Sequence, residues 1–275
     1  MRKLILFNFL LLLLSTNILH AQSYKSNILF QKTNYPVAAI QVPFDEDVVT
    51  DAVKDYMSSK GYKDAHYKDF VVFRDVPLQA NTSALSDAYF NITKKNRSEK
   101  DVTIISLLPV KKGLTLAPAT EEDSAVVSSA LVYLDSLVDR VQRYSMMKQI
   151  QTQQKVLDKT KSKMLSLKND SGDLAKKIRS YESDLAQNKT SQDKQTKLIN
   201  SLATGDQDGL AKAHKQMDKL LDNQTDYEKK IRNYKADLEK NTQDRQTEQS
   251  MFDSQTQALN ALKQRYQAIG IPAPK

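Results

Sequence analysis

The sequence predicts an α+β protein: a small two-layer head of order β-α-β-β-β-α, followed by a long antiparallel α-helical coiled-coil hairpin. Three observations predict it. Between residues 37 and 149 the apolar pattern switches repeatedly between the period of a strand and that of a helix. From Ile150 onward it settles into unbroken steps of three and four. The phrase KKIRSYESDLAQN at 176–188 then returns 53 positions later as KKIRNYKADLEKN at 229–241.

Residues 1–21 read as an export signal, with Arg2 and Lys3 at the positive start, a largely apolar stretch over 4–14, and Ala21 as the small residue before the cut. Leu19 is large for its place before the cut and leaves a retained anchor as the alternative, although the stretch falls short of the roughly 20 residues that span a bilayer. The chain has no cysteine, which excludes disulfides, thiolate metal sites, a cysteine nucleophile and lipid attachment through an N-terminal cysteine. The expectation is an exported protein, periplasmic or secreted, not lipid-anchored, with no transmembrane segment after signal cleavage. Residues 22–36 read as an extended lead.

The head then unfolds element by element. Ala38, Ile40 and Val42 alternate with more polar neighbours, as in a half-buried strand. Asp45 is placed to cap a helix carrying Val48, Val49, Ala52, Val53, Tyr56 and Met57 at helical spacing, and Gly61 stands where a left-handed helix terminus is wanted. Three strands follow at 69–74 (DFVVFR), 87–93 (DAYFNIT) and 102–108 (VTIISLL), the last ended by Pro109 and the Lys111, Lys112, Gly113 cluster. A closing helix starts near Thr120, with Glu121, Glu122 and Asp123 at its positive end. Its apolar face is Val127, Leu131, Leu134, Val138 and Val141.

The hairpin, residues 150–269, rests on two heptad series separated by ATGDQDG at 203–209, where Gly205 ends the first helix and Asp206 or Asp208 caps the second. For a turn centred on residue 206, facing positions have numbers that add to 412. The apolar seam then pairs Leu174 with Leu238, Ile178 with Tyr234, Tyr181 with Ile231 and Leu185 with Tyr227. Polar residues also meet their own kind, Asn188 with Gln224 and Ser171 with Asn241, which sets the register. Two layers are less regular, Gln192 against Leu220 and Leu167 against Arg245. The repeated phrase is an internal duplication packed against itself. Gly172 is read as lying inside a continuous helix, and at 1.5 Å per residue the hairpin extends roughly 75 to 80 Å. Residues 270–275 form a tail.

Charge is unevenly placed. The formal balance of +8 falls to +6 without residues 1–21, with −1 over 22–145 and +7 over 146–275. Interspersed signs on a long helical surface serve solubility, with weak contact to an anionic envelope surface as the sharper reading. No aromatic-interleaved basic stripe suggests nucleic acid.

Chemistry-bearing patterns are missing. His66 and His214 have no second ligand at a metal spacing, Asp45, Glu46 and Asp47 read as a helix start, and the seam tyrosines read as packing residues. No phosphate-cradling loop, nucleophile elbow or zinc-protease motif occurs. The expected sets of catalytic, cofactor-binding and metal residues are therefore all empty.

The signal, DAYFNIT and the two KKIR phrases resemble uncharacterised exported bacterial proteins in which a small α+β head precedes a Lys-, Glu- and Gln-rich helical hairpin. The resemblance spans most of the chain and implies no activity. The expected function is a non-enzymatic structural or interaction protein whose hairpin mediates self-assembly or partner binding in the cell envelope. Its motivation is the set of apolar residues off the seam, Met147, Val156, Leu165 and Leu221. The alternative is a binding module whose head captures a small ligand, peptide or glycan, with the hairpin as spacer.

Overall fold

A computed structural model describes residues 22–30, 32–78, 85–96, 98–99, 101–111, 121–202 and 206–269. The signal, the Thr120 cap, Lys112, Gly113, Gly205 and the tail lie outside the described residues. The protein is α+β, with a six-stranded antiparallel sheet followed by two long helices packed against each other. It divides into two compact units, Met1–Gln149 with Arg265–Lys275, and Ile150–Gln264.

In the first unit the strands are β1 (Tyr24–Phe30), β2 (Thr33–Val42), β3 (Asp64–Tyr67), β4 (Phe70–Val76), β5 (Ser86–Lys94) and β6 (Thr103–Lys111), with α1 (Glu46–Ser59) between β2 and β3. The sheet order is β1-β2-β6-β5-β4-β3. Two strands were not expected. The lead over 22–36 is not a separate extended segment: residues from Tyr24 pair with β2 as an edge hairpin, Tyr24 opposite Ala39 through Phe30 opposite Thr33. Ser23 fastens its start, its backbone N–H donating to Asp135 Oδ1 at 2.9 Å and its hydroxyl to Leu131 O at 3.0 Å. β3 is exposed along its whole length and so carries no hydrophobic alternation to read. The turns also lack the usual Asn-Gly signal. Lys32 (φ +66°) and Lys68 (φ +53°) take the left-handed conformation that glycine or asparagine adopts more easily.

Pro109 does not end the last strand. β2 pairs with β6 only as far as Leu107, so at Pro109, opposite Ala88, the strand has β5 alone as neighbour and the missing N–H breaks no ladder. Pro36 lies likewise beyond the reach of β6.

One face of the sheet carries Ile40, Val42, Phe73, Phe90, Ile105 and Leu107, buried against Val49, Val53 and Met57 of α1. The helix α2 (Glu121–Ser201) adds Val127, Ala130, Leu134, Leu137 and Val141 to the same core. Leu131 and Val138, expected on that face, are only partly buried, and Ala130 and Leu137 take their places. Asp45 holds the N-cap position of α1, yet its carboxylate makes no capping bond; its backbone carbonyl accepts from Val49 N–H at 3.0 Å. Gly61 (φ +88°) closes α1 as expected. Its N–H bonds to Ser58 O, and Tyr62 N–H bonds back to Met57 O, the two bonds of a Schellman end.

The other face holds Phe30, Tyr35, Val37, Phe70, Val72, Tyr89 and Leu108, also buried. Phe30 on β1 lies 5.1 Å from Phe70 on β4 and 5.9 Å from Tyr67 on β3, ring centre to ring centre. β1 and β4 stand four places apart, about 19 Å in a flat sheet at ~4.8 Å per strand. The sheet is therefore curled, and its inner face is an aromatic core.

Candidate functional site

The second unit contains the seam. α2 is unbroken through Gly172, where an added Cβ would meet nothing within 4 Å, and α3 (Gln207–Ala268) runs back alongside it. The start of α3 is capped by Asp206, whose Oδ1 accepts from Gly209 N–H at 2.9 Å. A side chain at Gly209 would collide with that carboxylate.

Burial follows the steps of three and four. Ile178 and Ile231 are 7% and 9% exposed, and Asn188 and Asn241 are buried with them. Ser171, Leu174, Tyr181, Leu185, Gln224, Tyr227, Tyr234 and Leu238 are half-buried. Among the described seam places only Arg245 is exposed.

Cross-helix geometry is sharpest at the duplicated phrase. The Tyr181 ring from α2 sits between Tyr227 (6.2 Å, 38°) and Tyr234 (5.7 Å, 14°) of α3, level with Ile231. Lys230 Nζ lies 5.1 Å from the Tyr181 ring centre and Lys177 Nζ 5.3 Å from that of Tyr234, so these two rings also meet a cation. Lys235 adds an ion pair across the helices with Glu182 at 2.8 Å. Tyr181 thus packs against two tyrosines spaced seven residues apart on the facing helix, a spacing consistent with a coiled coil.

The polar layers hold one connection that pairing by number does not reveal. Asn188 and Gln224 are bridged by Gln192, whose Nε2 lies 2.6 Å from Asn188 Oδ1, 2.8 Å from Gln224 Oε1 and 3.3 Å from Leu220 O. Gln195 donates to Ala213 O at 2.8 Å. Glu248, buried, is paired with Lys163, and that hydrogen-bonded carboxylate raises the lysine above its ordinary pKa. Among the described residues, Asn241 Oδ1 and Gln255 Oε1 are buried with no donor. Ser171, the expected companion of Asn241, does not supply one.

Outside the seam, Leu165 is 60% and Leu221 47% exposed, with Val156 and Leu198 also open to solvent. A groove of about 650 Å³ runs beside Met164 and Leu165 of α2 and Thr242, Arg245 and Gln246 of α3.

In the first unit a smaller pocket of about 170 Å³ is lined by Tyr56 of α1, Arg140, Arg143 and Tyr144 of α2, and Tyr266 of α3. Arg140 stacks 4.4 Å over Tyr56 and Arg143 4.7 Å over Tyr266, and Arg143 Nη1 donates to Ile269 O at 3.0 Å. Residues from Arg265 on belong with the first unit, and Arg143 ties Tyr266 and Ile269 to it.

His66 stands exposed on β3, 3.4 Å from Lys54 Nζ and 3.8 Å from Asp64 Oδ2, and His214 is exposed on α3. No group of three or more His, Cys, Asp or Glu side chains placed to hold a metal occurs among the described residues, and no described helix is long and apolar enough to cross a membrane. No protein-family model matches the chain, and comparison with curated proteins returns no match.

Proposed function

We propose that the chain is a non-enzymatic exported protein whose helical hairpin mediates self-assembly or binds a protein partner in the cell envelope. The observation that carries this reading is the apolar surface left outside the seam, above all Leu165 and Leu221. A two-helix hairpin needs only its seam to hold together, so large aliphatic side chains elsewhere on an otherwise charged surface favour a further helix. Light scattering and chemical cross-linking of the mature protein test it, with oligomers or a saturable complex with an envelope protein as the expected result. A strict monomer that captures no partner from envelope fractions overturns it.

A second reading makes the first unit a binding module for a small ligand, peptide or glycan. The pocket between Tyr56 and Tyr266, with its two stacked guanidinium groups, favours it. Thermal-shift screening against envelope-derived ligands tests this reading, and no stabilisation by any of them removes its support.

A further inference from the structure

The groove beside Leu165 carries more than an unassigned apolar surface. It is concave and lined mostly by carbon, with Met164 and Leu165 on the α2 side. The seam is incomplete at the same level. α3 presents Asn241, Arg245 and Glu248 at three consecutive seam places, and Arg245 turns out to solvent instead of covering Leu167. Charge concentrates there as well. Residues 155–168 hold five lysines against one aspartate, the facing stretch 244–257 holds Arg245 against Asp244, Glu248 and Asp253, and its buried acid Glu248 is already paired with Lys163. Lys161, Lys168 and Arg245 rim the groove, and the two facing stretches together keep a formal charge of +2.

We propose that this groove receives an acidic amphipathic helix of a protein partner. Apolar side chains of the incoming helix lie on Met164 and Leu165, and its flanking carboxylates face Lys161, Lys168 and Arg245. The inference rests on the reading of the hairpin as an interaction element and names the chemistry of its partner. A second copy of this chain is disfavoured as occupant, because a two-fold dimer over the groove sets the same lysine cluster against itself. An anionic lipid surface is disfavoured by shape: it reaches convex faces, and this one is a channel between two helices.

Fluorescence anisotropy on the mature protein tests the assignment. The probes are a synthetic helix of about three heptads with leucine at a and d and glutamate elsewhere, the same helix with lysine for glutamate, and phosphatidylglycerol-containing vesicles. The acidic helix is expected to bind at least about tenfold more tightly than its charge-reversed form, with the difference shrinking as salt is raised. The double variant K161E/K168E should weaken the acidic helix by about tenfold or more, and Leu165→Asp, at an exposed position that leaves helicity unchanged, should weaken both helices. Lys194→Glu, far along α2, should leave binding unchanged. Equal binding of the two helices, indifference to K161E/K168E, or tighter binding to vesicles overturns the proposal. So does a homodimer that Leu165→Asp converts to monomer. In that last case the broader reading of the hairpin as an assembly element stands while the acidic partner falls; absence of both assembly and peptide binding removes both.

Discussion

The position of Tyr181 between two tyrosines of the opposite helix makes a quantitative prediction. Replacing it by alanine removes two ring pairs, each worth about 0.5–1.5 kcal/mol beyond buried area, and a Lys230 contact worth about 0.5–1 kcal/mol. Well over half of the residue is withdrawn from water, adding on the order of 2 kcal/mol at ~25 cal/mol per Å². The expected loss for Tyr181→Ala is therefore about 5 kcal/mol, against about 3 kcal/mol for Tyr227→Ala, which forfeits one ring pair and a similar buried area. Tyr181→Phe keeps both rings in contact and should stay within about 0.5 kcal/mol of the parent. Urea unfolding followed by far-ultraviolet circular dichroism measures these values. Double-mutant cycles should give coupling of about 1 kcal/mol for Tyr181 with Tyr227 and for Tyr181 with Tyr234. If Tyr181→Ala proves no more damaging than Tyr227→Ala, or the couplings vanish, the packing of the duplicated phrase is not the source of hairpin stability.

Three further outcomes are expected. Burial raises the pKa of the Tyr133 phenol, whose hydroxyl points at Met57 Sδ 3.0 Å away, so the folded state holds this proton more tightly than the unfolded chain. Its contribution to stability is complete below the ordinary phenol value of about 10 and is lost as pH rises above it; Tyr133→Phe should flatten that alkaline fall in a pH series of melts. Asn241→Leu removes a buried oxygen that has no donor and should raise the urea midpoint, by about 1 kcal/mol of stability; a lower midpoint would mean that the amide is satisfied. Arg143→Ala deletes both the stack on Tyr266 and the bond to Ile269 O, about 2 kcal/mol together, and hydrogen exchange in residues 265–269 should quicken by more than tenfold.

The hairpin was legible in the sequence because a heptad is a local rule repeated many times, and a duplication supplies its own register check. Burial at Ile178, Ile231, Asn188 and Asn241 falls on the steps read from the residues alone. The head was legible only in class. β3 is held by backbone pairing at a sheet edge with every side chain exposed and writes no alternating pattern, and β1 alternates in burial from Ser26 to Phe30 while the exposed Leu29 hides that period in the sequence. Their turns use Lys32 and Lys68 at positive φ, where the usual residues would have announced a hairpin. Pro109 misled for a related reason: its harm depends on whether a neighbour needs its N–H, which only the register of β2 decides. Gln192 reads as an irregular layer in the sequence because facing numbers assign one partner per place, whereas a side-chain amide reaches a residue one turn away on each helix. The groove beside Leu165 was invisible for the same reason, since it belongs to the flank shared by two helices and to no single periodicity.

The curl of the sheet bears on how the protein behaves at high concentration. Phe30 at one margin rests against Tyr67 at the other, so at that end the two outermost strands converge. A foreign strand seeking to extend the ladder needs a long, straight border of free amides and carbonyls. Here either border bends toward its opposite, and a newcomer on one side meets the rings and lysines of the other. A border curled in this way is a poorer template for edge-to-edge addition than a flat one, and the aromatic residues that fill the inner core accompany that curl.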